Sequence, residues 1–186
     1  VMLTLIDRFN EIYPKRFQFN VTTNGLKLDI KTFEELMQRE VTILVSLDGA
    51  EDQHNRLRVD LNNKGSFQKV LNNLNTIRDK YPDYYRRKVG LAAVYDLCTD
   101  LVKNNKFLYD HEKKGLLPPI KLVNRVSNLN TTYYEEFTED DYKVHLKIMS
   151  DLEDEYVENI INGYDNSNYS IGLFAMDYLM VILRKR

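Results

Sequence analysis

Apolar positions along this chain recur with two alternating periods. Met2, Leu3, Leu5, Ile6, Phe9 and Ile12 return every three or four residues, which predicts a helix ended by Pro14. Residues 17–21 then form a short predicted strand. The polar turn Thr22-Thr23-Asn24-Gly25 closes it on a glycine suited to a positive φ, and Ile30, Phe33, Leu36 and Met37 mark a second helix. The next run, 41–47, is rich in branched apolar residues, as in a strand buried on both faces of a parallel sheet. A long polar loop follows it. Ser66 is the expected N-cap of a helix carrying Phe67, Val70, Leu71, Leu74, Ile77 and Tyr81, with Pro82 as its stop. A third strand is predicted over 88–95. A helix over 97–114 comes next, with Gly115 as its C-cap and Asn104-Asn105 as a break within it. Pro118-Pro119 precede a fourth strand, 120–123.

Strand and helix thus alternate through connections too long for hairpins and suited to crossover helices, so the fold class is α/β with a parallel sheet. A polar cluster follows each strand: Thr22 to Asn24, Ser46 to Asp48, Asp96, then Asn124 and Arg125. In a parallel sheet those places lie along one edge and line one cleft. Beyond Asn128 the alternation stops. Thr138 and Asp141 make a variant capping box for a helix through Tyr142, Leu146, Met149, Leu152 and Tyr156, and a loop at 163–167 precedes a last apolar helix, 171–183. The expected organisation is an α/β unit over 1–128 and a helical extension over 129–186.

Bulk properties narrow the function. A chain of 186 residues suits one well-cored domain and is short for two. A formal net charge of -2 gives no basic surface for nucleic acid or an acidic membrane. No apolar run approaches the roughly 20 residues needed to span a bilayer, and residues 1–16 read as an amphipathic helix unlike a signal peptide, so a cytoplasmic protein is expected. The single Cys98 excludes an internal disulfide and a cysteine-built metal site within the chain. His54, His111 and His145 lack zinc-ligand spacing, and the acidic run Glu135, Glu136, Glu139, Asp140, Asp141 lacks the central glycine of a calcium loop. No metal site is expected.

Two signals carry a family likeness. The order Ser46-Leu47-Asp48-Gly49, four residues, then His54-Asn55 and Arg58 resembles the region after the fifth barrel strand in radical S-adenosylmethionine enzymes of the sulfatase-maturase and peptide-maturase group. Upstream, Thr22-Thr23-Asn24-Gly25-Leu26 resembles that group's Q-T-N-G-x-L turn, with Thr22 in place of the glutamine. The likeness covers 17 to about 128 and implies the later half of a partial (β/α)6 barrel. It implies S-adenosylmethionine and a [4Fe-4S] cluster as cofactors of a full-length parent, an electron donor, and a peptide or protein substrate that loses hydrogen to a 5′-deoxyadenosyl radical. It further implies cofactor contacts from Ser46 and Arg58, with Asn24, Asn124 and Arg125 as additional candidates; no catalytic residue is assigned.

The CxxxCxxC cluster loop of those enzymes has no counterpart here, and both ends of the sequence fall within helical patterns. The expectation is therefore an internal piece without activity, with no cofactor bound and sheet edges open to self-association. Other readings stand beside this one. Ser46 can cap a strand end, Arg58 can be a solvated loop charge, Asn24 can bond its own turn, and Asp96 can cap the next helix. Asp48 and Gly49 suit a turn, His54 a structural role, and Cys98, placed one or two residues into the following helix, a small core side chain. The alternative function is a non-catalytic α/β domain binding a peptide through its tyrosine-bearing tail; a cofactor-independent enzyme with Asp48 or Asp96 as base is the third.

Overall fold

The computed structural model describes residues 2–125 and 132–163. In chain order the elements are α1 (Met2–Ile12), β1 (Asn20–Thr23), α2 (Ile30–Met37), β2 (Thr42–Ser46), α3 (Glu51–Leu57), α4 (Phe67–Lys80), α5 (Pro82–Lys88), β3 (Val89–Tyr95), α6 (Leu101–Lys113) and β4 (Ile120–Arg125). A 3-10 turn (Tyr133–Glu136) and α7 (Glu139–Ile161) complete them. The four strands pair in parallel in the order β1-β2-β3-β4. Each connection advances one strand in the same direction, and right-handed crossovers then place the intervening helices on one face. That singly wound arrangement is an arc of a barrel.

Register makes the two faces unequal. Val21, Ile43, Val45, Leu47, Val89, Leu91, Ile120 and Val123 belong to one apolar cluster with Phe33, Leu36, Val70, Leu74 and Ile77 of the helices. Ile43, Val45, Leu74 and Ile77 are wholly buried, each contributing about 1.5–3 kcal/mol by removal from water. Thr22, Leu44, Ser46, Ala92 and Asn124 lie at the alternate positions. There the sheet is more open: Leu122 is 41 % exposed, and Thr22 and Asn124 are exposed.

Several elements depart from expectation. The strand expected at 17–21 runs instead from Asn20 to Thr23, because Val21 and Thr23 pair with β2 while residues 17–19 approach it. The long polar loop contains α3, a short helix whose apolar periodicity is absent because His54 is its one buried residue. Pro82 does not leave the chain irregular; it opens α5 from the first turn, where its missing N–H costs nothing. Ser66 precedes α4 but its hydroxyl bonds elsewhere, and Asn55 Oδ1 accepts the Phe67 N–H at 3.0 Å instead. Helix α6 starts at Leu101, capped by Asp100, so Cys98 is exposed in the preceding turn rather than inside the helix. Asn104-Asn105 do not interrupt that helix; both face inward and are buried. The Thr138–Asp141 capping box is formed. The last apolar helix, 171–183, lies outside the described residues.

Candidate functional site

The carboxyl ends of the strands carry the polar clusters, and three networks organise that rim. The first centres on Asp48, the residue next but one after β2. Its carboxylate accepts from Arg58 Nε and Nη2 and from the Val94 N–H of β3 at 3.0 Å. The Asn104 amide donates to the Asp48 carbonyl at 2.7 Å and its oxygen accepts from Ala50 N at 3.0 Å, fastening the turn to α6. Gly49 sits in that turn at φ 125°, and a Cβ there would lie 2.0 Å from Asn104 Oδ1. Glycine is the residue that fits.

The second network explains His54. Asp48 N donates to His54 Nδ1 at 3.3 Å, so the ring proton belongs on Nε2, which faces Ser66 Oγ at 2.8 Å. The Ser66 hydroxyl in turn donates to the Arg58 carbonyl at 3.0 Å. His54 is wholly buried, and burial lowers its pKa to about 4, helped by the Arg58 charge and opposed by Asp48. It is a neutral structural ring.

The third network was not foreseen from sequence. Arg56 of α3 grips Asp96 with Nη1 and Nη2 at 2.8 and 2.6 Å, and Thr99, Cys98 N and the Tyr133 hydroxyl add further bonds to the same carboxylate. Burial by itself would raise the Asp96 pKa, but the bonds from Arg56, Tyr133 and Thr99 outweigh it and bring it down to about 2. Both rim carboxylates are thus held in arginine forks, a poor arrangement for a general base.

What remains open differs from residue to residue. Ser46 ends β2 on the open face, 9 % exposed, and its hydroxyl has no hydrogen-bond partner among the described residues. Arg58 keeps Nη1 without such a partner once Nε and Nη2 are engaged. Asn24 Oδ1 accepts from Leu26 N at 3.2 Å, bonding its own turn and leaving its amide group exposed. Asn124 and Arg125 lie inside β4 rather than after it, opposite Val94 and Tyr95, with Asn124 exposed on the open face. Among the described residues no group of three metal-ligating side chains occurs.

No family model matches the chain. Over 66 residues, 36 % of this chain and 18 % of the relative, it is 27 % identical to a cysteine-type anaerobic sulfatase-maturating enzyme of Clostridium novyi (strain NT). The solved structure of native anSMEcpe with bound AdoMet and a peptide superposes with a TM-score of 0.61 at 21 % identity, over 87 % of this chain and 44 % of that one. This chain has part of the sulfatase-maturase fold. A second anSMEcpe structure, with bound AdoMet alone, gives 0.60 at 20 % identity over 88 % and 43 %. The chain therefore spans less than half the length of the maturase structures it matches. Its four parallel strands and their helices account for the described part of that likeness. No described helix is long and apolar enough to cross a membrane.

Proposed function

We propose that this chain forms the S-adenosylmethionine-holding arc of a radical maturase that modifies a peptide or protein side chain. The observation that carries the reading is the Ser46 hydroxyl: a buried polar atom at the end of β2, on the open face, without a partner among the described residues. An unsatisfied buried donor costs about 1–3 kcal/mol, so it calls for a ligand or water at that place. Asp48 fixes the Arg58 guanidinium and leaves Nη1 for the carboxylate of an amino-acid moiety. Asn24, with its exposed amide, and Asn124, exposed on the open face of β4, extend the polar lining. S-adenosylmethionine held there would supply a 5′-deoxyadenosyl radical for hydrogen abstraction, one electron from the parent's donor cleaving a sulfonium C–S bond with release of methionine.

The [4Fe-4S] cluster does not fit this chain, which has one cysteine, exposed before α6. Its cysteine ligands would come from elsewhere in a full-length parent. The chain alone is accordingly inactive and binds S-adenosylmethionine weakly, with a Kd of about 1 mM or more. The peptide bound to anSMEcpe supports a peptide or protein as the parent's substrate.

The test is a titration of the isotopically labelled chain with S-adenosylmethionine, followed by amide and arginine side-chain NMR. Shifts should gather at Asn24, Ser46 and Arg58 and weaken in Ser46→Ala and in Arg58→Lys, which keeps a cation beside Asp48 but loses the fork. Shifts elsewhere, or binding unaffected by both variants, would remove these residues from a cofactor site.

A further inference from the structure

Arg56, Asp96 and Tyr133 form a clasp joining segments that follow three different strands. Arg56 stands in α3 after β2, Asp96 ends β3, and Tyr133 lies in the 3-10 turn after β4. The Asp96 side chain is fully buried and accepts two bonds from Arg56 and one each from Tyr133, Thr99 and Cys98 N. Arg56 Nη1 also reaches the Tyr133 hydroxyl at 3.4 Å and Nη2 the Thr99 hydroxyl at 3.2 Å. Tyr133 packs edge-on against Tyr134 and Phe137, so the clasp holds the start of the helical extension to the rim.

The other end of the same short helix bears Arg58, its C-cap. Helix α3 has seven residues and buries only His54, so little apolar packing fixes it. Its position rests on polar anchors: His54 beneath, Arg56 on Asp96, Arg58 on Asp48, and the outer pairs Asp52–Lys103 and Gln53–Asp100 N. An anchor that includes Tyr133 makes the placement of α3, and with it the Arg58 fork two residues on, depend on whether the extension is seated.

We propose that Arg56 and Tyr133 are positioning residues that couple seating of the post-β4 segment to the orientation of Arg58. The extension then acts on the cofactor arginine through α3 without touching it. The functional side of this inference rests on the reading of Arg58 given above; the mechanical side does not.

The experiment separates the two. In the ligand-free chain, Tyr133→Phe removes one bond to Asp96 while keeping the ring against Tyr134 and Phe137. Amide exchange across Glu51–Leu57 should quicken about tenfold, the scale of one hydrogen bond to a charged group, and the Arg58 Nε–H resonance should move. Arg56→Lys, which keeps the charge but loses the fork, should do the same. Lys147→Ala, which removes an exposed pair on α7 away from Asp96 and the aromatic cluster, should leave α3 and Arg58 unchanged. Unaltered α3 exchange and an unmoved Arg58 signal in Tyr133→Phe overturn the coupling, as does an equal response to Lys147→Ala. S-adenosylmethionine titration is a separate arm. Shifts in the unmodified chain that gather away from Ser46 and Arg58, with α3 still responding to Tyr133→Phe, refute the cofactor reading and leave the coupling standing.

Discussion

Lowering the pH should loosen this fold through one histidine. His54 is wholly buried, its Nδ1 accepts from Asp48 N and its Nε2 faces Ser66, so a second ring proton would set two N–H groups against each other. Burial puts its native pKa near 4, against the ordinary value of 6.5. The unfolded chain therefore binds more protons than the native one between those values, and stability rises with pH across that window. The contribution is complete above pH 6.5 and is lost as pH falls toward 4. A shift of about 2.5 units at about 1.4 kcal/mol each makes roughly 3 kcal/mol, a substantial share of a typical domain's stability. Urea unfolding followed by circular dichroism at half-unit steps from pH 4.5 to 7.5 measures the slope. His54→Gln should be less stable at pH 7 yet lose the His54 component of the slope, leaving what other groups contribute. If the variant and the unmodified chain show parallel pH profiles, His54 is not the titrating group and the buried neutral tautomer is wrong.

Two further predictions address the rim. Asp96, with its pKa lowered to about 2 from 3.8, stabilises the fold above pH 3.8 and loses that contribution as pH falls toward 2, by about 2 kcal/mol; Asp96→Asn should remove that acid step, and an unchanged acid transition would contradict it. Gly49→Ala forces a side chain at φ 125° into Asn104 Oδ1 and should cost about 3 kcal/mol, lowering the melting temperature by about 10 °C; an unchanged melting curve would show that the turn relaxes freely.

The sheet was legible because its strands are written in local apolar runs. Those at 41–47 and 88–95 become β2 and β3 with ends moved by a residue or so, since branched side chains on both faces mark a parallel strand wherever it pairs. Helix α3 was illegible for the complementary reason: EDQHNRL has no amphipathic stripe, and anchors from Asp48, Asp96 and Ser66 hold it, which no local pattern encodes. Arg56 illustrates the same limit, because its partners lie 40 and 77 residues away. Asn104 did leave a signal. A pair of asparagines on the inward face of a helix looked like a break, whereas a buried amide inside an otherwise regular helix points to a tertiary bond partner, here the Asp48 turn.

The rim's electrostatics separate scaffold from site more sharply than sequence motifs do. Of the charged groups in the segment after β2, Asp48 and Arg56 are engaged with buried or half-buried partners, so neither can meet a ligand without breaking a fork. Removing one member of such a pair leaves an uncompensated charge, and substitution there reads out folding before it reads out binding. Ser46 and the outer edge of Arg58 stand apart, since both offer hydrogen-bonding capacity that nothing in the described fold uses. A polar lining built this way is rigid where it is satisfied and receptive where it is not. The motif Ser46-Leu47-Asp48-Gly49 thus contains two kinds of residue: Asp48 and Gly49 build the turn, and Ser46 ends β2 on the open face with its hydroxyl unengaged among the described residues.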